Sequence, residues 1–165
     1  MYSTKRSNSL YVFDTCTLSN IFNHYYLDRF PTFWGKFNKM MDDMIITSVR
    51  EVKKELEGIN HINNLFDWIK KYDNIFTIPI NDELSFITKI YSIQHFQHNL
   101  EKRKLLHGGA FADPFIIAKA KITNAIVVTE EKEKINSAKI PTICKYFNIE
   151  CLNLEGFLNN ENWTF

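Results

Sequence analysis

Short apolar runs alternate with stretches of helical periodicity along this chain of 165 residues, and this alternation limits the possible folds more than any other feature. Residues 10–13 and 125–128 have the composition of buried strands, and weaker strand patterns occur at 44–47, 75–80 and 150–152. Apolar residues at helical spacing separate these runs. The pattern predicts a three-layer α/β/α sandwich with a mainly parallel central sheet.

Size and charge narrow the functional classes. Hydrophobic residues make up 45% of the chain and aromatic residues 15%, which is enough for one sizeable core. We therefore expect one domain over residues 1–165, with a helical insert around 60–109. The formal net charge of +1 argues against a high-affinity, non-specific nucleic-acid binder. Three cysteines without a CxxC pair, and no apolar leader or membrane segment, predict a cytoplasmic protein without disulfides.

Two helix starts can be read from local signals. Ser48 and Glu51 fit a capping box, in which each side chain would bind a free amide of the first turn. Asp113 is expected to cap a helix with Pro114 at its first position, where proline's missing N–H leaves no gap in the hydrogen bonding. Between them, the polar segment 98–109 is predicted to be a mobile basic loop or a helix end.

Acidic residues follow the predicted strands at the sheet edge where parallel sheets bind their ligands. Asp14 ends the first strand, Glu130 and Glu131 follow the strand at 125–128, and Asp113 precedes that strand. Each has another explanation, namely a turn at Asp14, a helix cap at Asp113 and a solvated charge run at Glu130 and Glu131. Their combination predicts a cluster of carboxylates.

Four short motifs, in this order, resemble those of the PIN-domain family across nearly the whole chain. They are a strand ending in Asp-Thr at 12–15, a helical Val-x-x-Glu-Leu at 52–56, a helix opening with Asp at 112–118, and a strand ending in Val-Thr before acidic residues at 128–131. The resemblance is to a bacterial PIN-like branch related to VapC-type toxins. It implies a PIN-like fold and a metal-dependent nuclease that hydrolyses RNA.

The resemblance implies a site of four carboxylates: Asp14, Glu55, Asp113 and Glu131. Asp14 and Asp113 would be the principal metal ligands, and Glu55 and Glu131 would complete the site and orient the attacking water. Ligands that are all oxygens favour Mg²⁺ or Mn²⁺, and either cation would also relieve repulsion within the cluster.

Glu51 competes with Glu55 for the helical position because the two residues are one turn apart. The apolar stripe of the helix leaves Glu55 at its margin and directs Glu51 toward solvent, so we predict Glu55 as the site residue. Thr15 and Thr129 are expected to support the site by donating hydrogen bonds to a carboxylate or a phosphate.

Lys102, Arg103 and Lys104 are the candidate phosphate contacts, because they lie in a glycine-ended segment just before Asp113. The alternative is a solvated helix end. The five histidines show no partner for nucleophilic catalysis, so none is assigned a catalytic role.

Two positions depart from the family pattern. Glu131 stands where Asp is commoner, and Cys16 stands where a supporting Ser is frequent. The alternative function is therefore a catalytically inactive PIN-like module for RNA binding or assembly. A doubly wound nucleotide-binding domain is disfavoured because no glycine-rich loop follows the first strand. The resemblance also suggests an antitoxin protein partner and a homodimer.

Overall fold

The computed structural model describes residues 9–59, 62 and 64–165. The polar segment 1–8 and the first residue of the expected insert, Asn60, lie outside these described residues.

Five short parallel strands form the central sheet in the described part of the chain. They are β1 (Tyr11–Phe13), β2 (Ile46–Val49), β3 (Phe76–Thr77), β4 (Ile126–Val128) and β5 (Cys151–Leu152). The strand order is β3-β2-β1-β4-β5, and each neighbouring pair is parallel. The predicted α/β fold with a mainly parallel sheet is confirmed, and β1 is its central strand.

Helices connect these strands. They are α1 (Thr15–His24), α2 (Pro31–Asp42), α3 (Arg50–Glu57), α4 (Leu65–Lys71), α5 (Asn81–Tyr91), α6 (Gln94–His107), α7 (Asp113–Thr123), α8 (Ile140–Tyr146) and α9 (Leu154–Asn160), with a 3₁₀ turn at Asp73–Ile75. Within the described ranges, each helix is too short or too polar to cross a membrane. The segment 64–107 contributes strand β3 to the sheet as well as three of these helices.

Strand β1 is fully buried, as expected for the centre of a sheet covered on both faces. Tyr11 and Phe13 point to the same face, where both contact Phe157 of α9 edge to face, with ring centroids 4.9 and 5.1 Å apart. Helix α7 packs across strands β1, β2 and β4. This packing fixes the carboxyl ends of β1 and β4 beside the start of α7.

The predicted capping box at Ser48 is wrong. Ser48 belongs to strand β2, where its hydroxyl donates a 2.7 Å hydrogen bond to the Phe13 carbonyl. Helix α3 begins at Arg50, after Val49, and no side chain caps it. Burial of the strand through Val49 outweighs a cap, which contributes only about 1 kcal/mol.

The prediction that Glu51 points to solvent is also wrong. Glu51 is only 5% exposed, and its Oε1 accepts a 2.8 Å hydrogen bond from Arg50 Nη2. It also interacts electrostatically with the buried Glu83 of α5. The surroundings of Glu51 in the folded chain therefore bury a side chain that the isolated helix would expose.

The basic segment is the end of a helix, one of the two alternatives expected, and the elements that follow it differ from expectation in two details. Residues 98–107 belong to the regular helix α6, which begins at Gln94 and is ended by Gly108 in the left-handed conformation with φ 68°. Asp113 is the first helical residue of α7 rather than its cap, so Pro114 occupies the second position. Helix α9 was not expected from the sequence.

Candidate active site

Asp14 lies at the carboxyl end of β1, where it also caps α1. Its Oδ1 accepts a 2.6 Å hydrogen bond from the Thr15 amide. Its Oδ2 accepts hydrogen bonds from the Thr129 hydroxyl at 2.7 Å and from the Cys16 thiol at 2.8 Å. Burial raises the pKa of Asp14, and the hydrogen bonds from Cys16 and Thr129 oppose that shift. The Thr129 hydroxyl is thus bonded to the first carboxylate, and its supporting role in a reaction stays a prediction.

Cys16 takes the place of the hydroxyl that the family pattern puts beside the first aspartate. Burial and the neighbouring Asp14 raise the pKa of its thiol to about 12, so the thiol is protonated and can donate. Its sulfur also accepts a hydrogen bond from the Glu130 amide at 3.3 Å. The substitution therefore keeps a donor to Asp14.

Glu55 of α3 is held beside Asp14 by groups from two other elements. The Thr15 hydroxyl donates to its Oε2, and the Ala112 amide donates to its Oε1 at 2.9 Å. His107 Nε2 at the end of α6 lies 3.5 Å from the same Oε1. Burial raises the pKa of Glu55, while the bonds from Thr15 and Ala112 lower it. The structure thus brings Glu55 to Asp14, as predicted.

Arg103 joins the other two predicted carboxylates. Its Nη1 lies 2.6 Å from Asp113 Oδ2, and its Nη2 lies 2.7 Å from Glu131 Oε1. Nη1 also donates to the Ala138 carbonyl at 2.7 Å. Glu131 is held from its other side, since Oε2 accepts a 2.9 Å hydrogen bond from the Ile140 amide.

Electrostatic coupling shows that the four carboxylates form one cluster. The pKa of Asp113 is raised to about 8, mainly by burial and also by the charges of Asp14, Glu131 and Glu55, against the opposing effect of Arg103. The other three carboxylates therefore lie near enough to Asp113 to oppose its ionisation.

The three basic residues predicted to bind phosphate point in different directions. Lys102 and Lys104 are exposed on α6, whereas Arg103 turns inward to the carboxylates. The helical repeat explains the difference, because Arg103 shares a face with the buried residues Phe96 and Leu100. That spacing is the sequence signal that would have separated Arg103 from its neighbours.

Glu130 lies outside the cluster although it is adjacent to Glu131. Its Oε1 accepts a 2.7 Å hydrogen bond from the Leu154 amide at the start of α9. Successive residues after β4 thus point to different parts of the molecule, and Glu131 is the one that faces Asp113.

The donor set fits a hard divalent cation. All four clustered side chains offer carboxylate oxygens, the ligands that Mg²⁺ and Mn²⁺ prefer. Asp113 Oδ2 is buried and accepts no hydrogen bond from a described residue, although Arg103 Nη1 is close to it. Over the same residues, no three acidic, histidine or cysteine side chains already surround a common point as metal ligands. The oxygens are thus the right type, with the guanidinium standing between two of them.

The parallel sheet, with helices connecting its strands, agrees with the PIN-like fold that the motifs implied. Among solved structures, VapBC2 from Rickettsia felis bound to a DNA fragment from its promoter matches with a TM-score of 0.47 and 14% sequence identity, over 87% of this chain and 98% of that chain. Curated proteins give no match. The model of the family described as a domain of unknown function, DUF4411, matches residues 11–165. The chain belongs to this DUF4411 family.

Proposed function

We propose that this protein is an Mg²⁺- or Mn²⁺-dependent endoribonuclease. The observation that supports this best is the convergence of Asp14, Glu55, Asp113 and Glu131 at one edge of the parallel sheet. Asp14 and Asp113 are buried and Glu55 and Glu131 are half-buried, and four carboxylates this close repel one another, while the guanidinium of Arg103 offsets only part of their charge. A site that keeps them together is better explained by metal-dependent chemistry than by packing.

Each carboxylate has a role in the proposed reaction. Asp14 and Asp113, the most buried pair, would hold the metal. Glu55 and Glu131 would complete the site and orient the water that attacks the phosphodiester. A divalent cation supplies a water of lowered pKa and stabilises charge on the phosphate.

Thr15 and Thr129 would keep the carboxylates oriented, since their hydroxyls already bind Glu55 and Asp14. The exposed Lys102 and Lys104 would contact the phosphates of a single-stranded RNA. The motif resemblance further supports a toxin of a toxin–antitoxin pair, with an antitoxin protein as partner and a homodimer as the assembly. The segment around 60–109 is proposed to be part of a single domain.

The proposed activity is tested with purified protein and a labelled single-stranded RNA. Cleavage should require Mg²⁺ or Mn²⁺, stop when EDTA is added and resume when metal is restored. Asp14→Asn should abolish cleavage while the protein remains folded. Full activity after complete chelation, or in Asp14→Asn, would rule the proposal out.

A second candidate function is a catalytically inactive PIN-like module for RNA binding or assembly. It is favoured by Glu131, whose two oxygens are both engaged, one by Arg103 and one by the Ile140 amide. Calorimetric titration with Mn²⁺ separates the two functions. An active site should bind the metal and cut RNA, whereas an inactive module should bind RNA without cutting it.

A further inference from the structure

The Arg103 guanidinium lies between two of the carboxylates that are proposed to form the metal site. Its two terminal nitrogens lie 2.6 Å from Asp113 Oδ2 and 2.7 Å from Glu131 Oε1. A guanidinium can bind two carboxylates at once because its donors form a rigid planar fork. Arg103 therefore bridges Asp113, which is proposed to hold the metal, and Glu131, which would complete the site.

Other contacts fix the guanidinium in this position. Nη1 donates to the Ala138 carbonyl at 2.7 Å, and the guanidinium lies 5.5 Å from the centre of the Phe111 ring. The inner face of α6 sets the direction, since Phe96 and Leu100 on that face are buried. These contacts leave Arg103 poorly placed to reach an RNA phosphate in the metal-free protein.

A divalent cation and this guanidinium compete for the same oxygens. Two positive groups bound to Asp113 Oδ2 and Glu131 Oε1 would lie within a few ångströms of each other and repel strongly. Glu131 would keep its orientation after losing the arginine, because the Ile140 amide still binds Oε2 at 2.9 Å. The carboxylate thus remains in place while one oxygen becomes free.

We propose that Arg103 is an internal counter-ion of the carboxylate cluster, which stabilises the metal-free site and must leave Asp113 and Glu131 when a divalent cation binds. The inference rests on the proposed function, since it takes the cluster as a metal site. It assigns Arg103 a positioning role that sets the metal affinity, in place of the phosphate contact expected from the sequence.

The test compares Arg103→Met with Lys102→Met, which removes the same charge from the exposed neighbouring position. Mn²⁺ binding is measured by calorimetry, and unfolding is followed by thermal melts with and without Mn²⁺. Arg103→Met should bind Mn²⁺ about tenfold more tightly or better, because the competing cation is gone. Without metal, the melting temperature of Arg103→Met should lie below that of the parent. Adding Mn²⁺ should raise the melting temperature of Arg103→Met by more than it raises that of the parent. Lys102→Met should change the affinity by no more than about twofold.

Unchanged or weaker Mn²⁺ binding by Arg103→Met would overturn the inference. An equal increase of Mn²⁺ affinity in Lys102→Met would overturn it as well. If Arg103→Met does not fold without metal, Arg103→Lys serves instead, because it keeps the charge but loses the fork. It should bind Mn²⁺ more tightly than the parent, and unchanged binding would again contradict the inference.

RNA cleavage by the same proteins separates this inference from the proposed function. Tighter Mn²⁺ binding in Arg103→Met without cleavage by the parent would support the counter-ion and reject the nuclease. Metal-dependent cleavage by the parent, with no change of Mn²⁺ affinity in Arg103→Met, would support the nuclease and reject the counter-ion. Absence of Mn²⁺ binding in all variants would reject both.

Discussion

The Thr15 hydroxyl donates a hydrogen bond to the Glu55 carboxylate and so connects the start of α1 to α3. The amide of the same residue binds Asp14 Oδ1 at 2.6 Å. Thr15 thus sets the relative position of two site carboxylates from a single place in the backbone. The hydroxyl is therefore expected to matter more for catalysis than for folding.

Thr15→Val should lower RNA cleavage by roughly tenfold to a hundredfold, because Glu55 loses the donor that orients it. The free energy of unfolding should fall by only about 1 kcal/mol. The matched control is Thr17→Val, which removes a hydroxyl bonded to the Val128 carbonyl at 3.2 Å without touching a carboxylate. Cleavage rates and denaturant melts on both variants check this, and equal losses of activity would contradict it.

Glu55→Gln should slow cleavage by about a hundredfold or more, whereas Glu51→Gln should leave the rate within about threefold. The reason is that Glu55 contacts Thr15 and the Ala112 amide, while Glu51 binds Arg50 and faces Glu83. Single-turnover rates in Mn²⁺ measure both effects. An inactive Glu51→Gln beside an active Glu55→Gln would move the site residue by one helical turn.

The stability of the metal-free protein should fall as the pH rises from about 4 to about 8. The pKa of Asp113 is raised from 3.8 to about 8, so in this range the folded protein retains a proton that the unfolded chain releases. The loss should be of the order of a few kcal/mol at most.

Asp113→Asn should flatten this slope and be at least as stable as the parent at pH 8, although it no longer cuts RNA. Asp67→Asn, at an exposed position of α4, is the control and should keep the parental slope. Thermal melts between pH 4 and pH 9 in EDTA provide the measurement. A slope that persists unchanged in Asp113→Asn would show that another group titrates.

Replacing Lys102 and Lys104 together by Gln should weaken RNA binding and reduce its salt dependence by about one to two units of the log–log slope. Mn²⁺ affinity should not change, since both side chains are exposed and, of the three adjacent basic residues, Arg103 is the one that contacts the carboxylates. The paired variant Lys70→Gln with Lys71→Gln, on α4, controls for the loss of two charges. RNA binding is measured from low to moderate salt, and an unchanged slope would remove this segment from the binding surface.

Local sequence patterns were sufficient to predict the alternating strands and helices and the class of fold. A buried strand such as Tyr11–Phe13 needs only its own apolar residues to be recognised. The edge where Asp14, Asp113 and Glu131 meet was also predictable, because the ends of parallel strands lie together in any sheet of this class. The choice of Glu55 stays a prediction that rests on the motif resemblance, because the spacing argument against Glu51 was wrong; the structure places Glu55 near Asp14.

Tertiary packing decided where helix α3 begins and which of its side chains are buried, because the local sequence signals for these features are weak. The capping signal at Ser48 contributes only about 1 kcal/mol, so burial of strand β2 beside Phe13 could override it. Glu51 is buried by residues distant in the sequence, so the sequence pattern of α3 alone could not predict its burial.

Arg103 is the clearest case of a residue whose role depends on the fold. The sequence by itself determined that three adjacent cations lie just before Asp113, and it therefore grouped them as one basic segment. Only the docking of α6 through Phe96 and Leu100 turned Arg103 inward and left Lys102 and Lys104 in solvent. The physical reason is that adjacent helical residues point about 100° apart, so docking one face separates side chains that are neighbours in sequence.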